Sequence, residues 1–373
     1  MSIWRWSKWL PDIPPELRLD IGTGETPLVR SRRIGPAIGL KNLFFKLETN
    51  NPTGSYKDRF GAVAISAMLA AGEDHCVATS SGNSGAALAA HCGAAEIRCE
   101  IAVIITAPTD KLLQMRAYGA DIYRVNDFGI DKEITHQSFE YIRWLGQQPG
   151  AALQISSYSY SPIGMEGIKT ISFEIAEQCP EPVDHLFSPV GGGGLTLSVA
   201  NGFENLLTDD LISHLPRIEC VQPEGNNTVA GPLINGKSEA TPIERCDSRI
   251  SGLQCPSILD GNKLIPAARR SGGTGHLVSD NSIWAAQQQL AQEEGIFCEP
   301  AGAVSLAGAL QAHRQGRLDS NVHVVCLITG SGFKDSASVE RMIQGNLETR
   351  DLSKLIEKSG APITLNVREN KKC

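Results

Sequence analysis

Short unbroken apolar runs alternate along this chain with longer stretches rich in small or amphipathic residues. His75-Cys76-Val77-Ala78-Thr79, Cys99-Glu100-Ile101-Ala102-Val103-Ile104-Ile105 and Arg217-Ile218-Glu219-Cys220-Val221-Gln222-Pro223 each read as a short strand. So do Asn42-Leu43-Phe44-Phe45-Lys46-Leu47-Glu48, the segment 119–125, His185-Leu186-Phe187 and the segment 322–328. Near-continuous hydrophobicity is the mark of a strand covered on both faces. Between the strands, helices are predicted over 60–71, 86–92, 134–145, 167–178 and 282–294, and from Thr109, Thr196 and Pro300 onward. Strand and helix in alternation predict an α/β fold: two three-layer αβα subdomains with mostly parallel sheets. The division expected is a smaller subdomain over 41–158 and a larger one over 1–40 with 159–345, with a cleft between them at the strand C-termini. Residues 224–280 are rich in Gly, Pro and Ser and read as one long loop region. The tail 346–373 carries Val, Ile and Leu too sparsely to be placed.

Composition narrows the function classes. A net charge of -7 in 373 residues leaves no basic stripe for nucleic acid, so none is expected as a partner. No run approaches the apolar length of a membrane span, and the first ten residues lack the apolar centre and cleavage site of a signal peptide. The ten cysteines are scattered with no Cys-x-x-Cys pair, and the eight histidines show no paired spacing. That usage fits reduced thiols in a cytoplasmic protein and speaks against a disulfide framework or a metal site.

Four loops carry candidate chemistry. In Asn51-Pro52-Thr53-Gly54-Ser55-Tyr56-Lys57-Asp58-Arg59, Pro52 and Gly54 form a turn that delivers Lys57 to a helix start. The positive end of a helix dipole disfavours an ammonium there, which suits a lysine used as nucleophile or base. Ser80-Ser81-Gly82-Asn83-Ser84-Gly85 joins a strand to a helix and offers hydroxyls and amides to a carboxylate. Gly191-Gly192-Gly193-Gly194 opens a helix and can wrap amides around a phosphate. It lacks the spacing of a dinucleotide fingerprint, which disfavours a nicotinamide dehydrogenase. Thr329-Gly330-Ser331-Gly332 ends an apolar strand with hydroxyls. Glu299-Pro300-Ala301 reads as an acid at a helix N-terminus.

These loops together are similar to the fold type II, or β-family, of pyridoxal phosphate enzymes, and most like the threonine synthases within it. The match runs from about Gly22 to Asp335. The resemblance implies a fold like the tryptophan synthase β-subunit, pyridoxal 5′-phosphate in the cleft, a small amino-acid substrate and a homodimer. It implies that Lys57 carries the cofactor and moves the Cα proton, and that Asn83 bonds the cofactor's 3′-oxygen. Gly191, Gly192, Gly193 and Gly194 would hold the 5′-phosphate, and Thr329 would contact the ring nitrogen. Ser81, Ser84 and Ser161 would contact substrate. A hydroxyl at the ring nitrogen makes a milder electron sink than a carboxylate would, which suits elimination and replacement.

Two features depart from the threonine synthase pattern. That pattern places an asparagine and an arginine, which grip the substrate phosphate, where this chain has Ser161 and Gly164. Four plain glycines and Glu299-Pro300-Ala301-Gly302-Ala303 resemble the serine/threonine dehydratases instead. Lys111, Arg116 and Lys169 are candidate replacement cations. The expected activity is elimination or replacement on a small amino acid, of the threonine synthase, dehydratase or β-replacement kind. A fold kept for regulation without catalysis is the reading from another class.

Overall fold

The computed structural model describes residues 2–80, 82–107, 109–343 and 350–359. Its ten strands are β1 Leu28–Arg30, β2 Leu43–Leu47, β3 His75–Thr79, β4 Arg98–Ile104, β5 Asp121–Val125, β6 Ala151–Leu153, β7 His185–Pro189, β8 Arg217–Pro223, β9 Gly275–Val278 and β10 Val324–Ile328. They form two sheets. One has six strands in the order β1-β2-β10-β7-β8-β9, and the other has four in the order β5-β4-β3-β6. All pairings are parallel except β1 on β2. The expected mixed α/β architecture with parallel sheets is what the chain adopts.

Strands β7 and β10 are buried at every residue, as central strands with helices on both faces must be. The Gly194–Thr208 and Pro300–Arg314 helices cover the large sheet with Leu195, Leu197, Val199, Val304 and Leu306. In the small sheet Cys76 of β3 lies beside Cys99 of β4, and Cys92 comes down from the Asn83–Ala94 helix. Their three sulfurs lie within 4.8 Å of one another, all buried. Chain spacing gave no sign of this cluster, because parallel register and a helix bring the residues together.

The structure differs from the sequence reading in several places. β2 falls within 41–158 yet pairs with β10 in the six-stranded sheet, so the lysine loop springs from the large sheet. Residues 224–280 are not one loop. They contain the Gly261–Arg270 helix and edge strand β9. Pro266 inside that helix and a four-residue strand that opens on glycine hid the pattern. The irregular lead-in includes a one-and-a-half-turn Ile34–Ile38 helix and β1, and three-residue β6 had no readable period. The helix after the lysine loop begins at Lys57 itself rather than at Phe60, and it ends on Gly72 at φ 70°. A left-handed terminus of this kind favours glycine. Within the tail, Leu352–Ser359 is a helix, and the remainder of 346–373 apart from 350–351 lies outside the described residues.

Candidate active site

The lysine loop is fixed by its own side chains. Gly54, at φ 85°, donates to the Asn51 carbonyl at 2.8 Å. The Thr53 amide and hydroxyl both donate to Asp58 Oδ2, at 3.0 and 2.9 Å. Ser55 pairs with Gly330, and the Tyr56 amide donates to the Thr329 carbonyl at 3.0 Å. Lys57 therefore sits beside the end of β10. Its Nζ donates to Ser156 Oγ at 2.7 Å.

Beneath the loop lies a fully buried charge network. Arg59 donates through Nε and Nη2 to Glu48 at 2.7 and 2.8 Å, and through Nη1 and Nη2 to Glu174 at 2.7 and 2.8 Å. Lys46 Nζ reaches Glu174 Oε2 at 2.6 Å. Two cations and two carboxylates cancel, as buried charges must. Burial pushes the Glu174 carboxyl up, and the charges and hydrogen bonds of Arg59 and Lys46 together outweigh that and hold it well below the carboxylate range. Asn51 joins the network through Nδ2 to Glu48 Oε2 at 2.9 Å, so the bidentate forks of Arg59 anchor the lysine loop at both ends.

Asn83 begins a helix, and its Nδ2 donates to Glu299 Oε1 at 2.7 Å. Glu299 stands at the N-cap of the Pro300–Arg314 helix, but its carboxylate makes no cap bond. Glu299 is the helix-terminal acid expected, and its carboxylate also meets Asn83. The Glu299 amide donates to the Gly330 carbonyl at 3.0 Å. A Cβ on Gly330 would lie 2.2 Å from Glu299 Oε1 and 3.1 Å from Asn83 Nδ2, so only glycine fits between them. Glycine and proline cues in separate loops give no sign that Glu299 and Asn83 meet.

The tetraglycine run follows β7. Gly193 takes φ 100°, and the helix starts at Gly194. Among the described residues, no backbone carbonyl accepts from the amides of Gly191 to Leu195. Asp260 braces the loop, its amide donating to the Gly192 carbonyl at 2.8 Å while its Oδ2 accepts from the Tyr158 amide at 3.0 Å. A Cβ on Gly194 would come within 2.8 Å of Met165 Cε and 3.7 Å of the Ser156 carbonyl, so this loop adjoins the residue that holds Lys57.

Thr329 is buried, yet its hydroxyl has no hydrogen-bond partner among the described residues. The hydroxyl of half-buried Ser84, at the start of its helix, likewise has no partner among the described residues. Ser81 lies outside the described residues. The buried Ser161 hydroxyl donates to the Leu153 carbonyl at 3.3 Å and accepts from the Ile155 amide at 3.0 Å, which braces its turn. Gly164 packs under the lysine helix, where a Cβ would lie 2.7 Å from Phe60 and 2.8 Å from Ala64. No arginine can stand there. Lys169 is spent on Glu166 at 2.5 Å, Arg116 has no ion pair among the described residues, and the Lys111 side chain lies outside them.

An unpaired hydroxyl on a buried threonine, a row of free amides at a helix start and a lysine at the same strand ends form the donor set that a phosphorylated pyridine aldehyde needs. The sequence matches the family described as pyridoxal-phosphate dependent enzyme over residues 19–330. The chain belongs to that family. Its cofactor is pyridoxal 5′-phosphate, and it is a pyridoxal phosphate-dependent lyase of threonine synthase-like kind. Threonine synthase of Methanosarcina acetivorans is 33% identical over 345 residues, covering 91% of this chain and 81% of that protein. The threonine synthase of Methanocaldococcus jannaschii is 30% identical, covering 90% and 81%. Maize serine racemase superposes with a TM-score of 0.70 at 24% identity over 91% of this chain and 94% of that one. Threonine deaminase isoform 2 of Solanum lycopersicum gives 0.72 at 21% over 91% and 92%; at these identities the likeness is one of fold.

Proposed function

We propose that this protein carries out elimination and replacement on a small amino acid that bears an oxygen leaving group, with the conversion of O-phosphohomoserine to threonine as the first reading. The observation that carries it is Lys57 Nζ held 2.7 Å from Ser156 Oγ, beside the Gly194 helix start and the Thr329 strand end. Bound there, the cofactor supplies an electron sink for the pair left at Cα. Lys57 takes the Cα proton and returns it. Gly191 to Gly194 donate amides to the cofactor phosphate, Thr329 offers its hydroxyl to the ring nitrogen, and Asn83 offers its second N–H to the ring oxygen. Ser84 receives the substrate carboxylate; Ser81 is assigned the same role from the motif alone.

Gly164 supports a second reading. Where threonine synthases have a phosphate-gripping arginine, this chain has a glycine wedged against Phe60. β-Elimination from serine or threonine, as a dehydratase performs it, needs no such arginine. A cytosolic homodimer fits either reading.

The test offers purified holoenzyme O-phosphohomoserine, O-phosphoserine, O-acetylserine, serine and threonine separately. Threonine with phosphate from O-phosphohomoserine supports the first reading, and 2-oxo acid from serine or threonine supports the second. No turnover of any of them contradicts both.

A further inference from the structure

We propose that the end of the six-stranded sheet away from the cofactor loops carries a second binding site, for a small phosphate-bearing anion. A cavity of about 280 Å³ opens there, lined by His185, Arg217, Glu219, Thr274, His276 and Arg317 among others. His185, Arg217 and Glu219 open strands β7 and β8, and His276 is the second residue of β9, so the cavity lies at the strand N-termini. The cofactor loops follow the strand C-termini. From His185 to Gly191 along β7 is about 20 Å at the usual rise per residue.

The floor is built and oriented. Glu219 accepts from His185 Nδ1 and His276 Nε2, each at 2.8 Å, and from the Thr274 amide at 3.2 Å. All three side chains are more than nine-tenths buried. Burial pushes the Glu219 carboxyl up, and the bonds from His185 and His276 outweigh this and hold it at about 2. An ionised carboxylate only accepts, so those ring nitrogens carry hydrogens and the tautomers are set. Arg317 Nη2 then donates to His276 Nδ1 at 3.2 Å. His185 Nε2 is left without a partner among the described residues, on a side chain that lines the cavity.

The rim is cationic. The exposed Arg217 guanidinium has no hydrogen bond or ion pair among the described residues, and Arg317 faces the same space. Glu219 spends its oxygens inward on the histidines and Thr274, so a ligand meets two guanidiniums, and His185 Nε2, an acceptor in this tautomer, can take a hydrogen bond from a phosphate hydroxyl. The two guanidiniums select an oxyanion over a metal cation. The volume is at the small end for ligand sites and fits a phosphate with a short carbon chain. The Pro300–Arg314 helix starts at Glu299 in the active site and ends beside this cavity, where Ala312 lines it.

The experiment is a calorimetric titration of holoenzyme with inorganic phosphate, and in a separate arm with succinate. Arg217→Ala and the double variant with Arg317→Ala are titrated alongside. Arg217 is exposed and outside the Glu219 network, so the single variant folds as the parent does. The expected result is saturable phosphate binding, weakened about tenfold or more by Arg217→Ala and further by the double change, because each loses a charge-assisted contact. A phosphate-dependent rise in Tm is lost in parallel, and the visible spectrum and turnover without phosphate stay unchanged. Equal affinity in parent and variants, absence of saturable binding at millimolar phosphate, or Arg217 dependence for succinate alone would overturn the proposal.

Discussion

Asn83 Nδ2 donates to Glu299 Oε1 across 2.7 Å and so ties the loop after β3 in the small sheet to the helix that covers the large one. The pair closes around Gly330, and it places a carboxylate beside the amide proposed to meet the cofactor. Asn83→Asp replaces that donor with an acceptor. Two carboxyls at this distance cannot both ionise and will share a proton. Activity of the variant is expected to fall at least tenfold at neutral pH and to recover partly as pH falls, while the parent shows no such recovery. A pH–rate profile of both proteins checks it.

Removing the Arg59 forks should be the most damaging change to the scaffold. Arg59→Met leaves Glu48 and Glu174 buried with Lys46 alone, a loss of about 3–5 kcal/mol. Because the Glu174 carboxyl is held below its unfolded value, the stability it contributes is present above about pH 4 and is lost as the pH falls further. Urea unfolding at pH 7 and at decreasing pH reads both effects, and the variant should lack the acid-dependent part assigned to Glu174.

Asp58 should behave in the opposite sense. Burial pushes its carboxyl up to about 6, against the bonds it accepts from Thr53. Between about pH 4 and 6 the unfolded chain releases a proton that the folded chain keeps, so this group's contribution falls as pH rises through that window. Asp58→Asn removes the titration. The stability difference between parent and variant should shift by about 2–3 kcal/mol in the variant's favour from pH 4 to pH 7. Denaturant melts across that range measure it.

Gly164→Arg, the change that would restore the threonine synthase pattern, should destabilise by at least about 2 kcal/mol through overpacking against Phe60 and Ala64. It should not improve use of O-phosphohomoserine. Thermal melts and phosphate release with that substrate are the two readouts.

Much of this arrangement could be read from local signals. The strand–helix alternation and the glycine-marked loops are short-range features, so the parallel α/β fold and the stretch around Lys57 were legible. What was not legible depends on contacts far apart in the chain. Glu299 lies 216 residues from Asn83, and nothing in its tripeptide shows which partner its carboxylate has. Ser161 has the right chemistry for a ligand contact, and its tripeptide gives no sign that its hydroxyl also bonds the Leu153 and Ile155 backbone. β2 joins β10 across most of the chain, so the subdomain limit drawn at residue 41 could not anticipate it. The Cys76, Cys92 and Cys99 cluster arises only once β3 and β4 are in register.

Lys57 is proposed to carry the cofactor. Borohydride treatment of the purified protein, followed by peptide mass spectrometry, locates a lysine-bound pyridoxal group directly. The expected result is the phosphopyridoxyl mass on Lys57 and its loss, together with the visible band, in Lys57→Ala. A label on another lysine such as Lys334, or a visible band unchanged in Lys57→Ala, would contradict it.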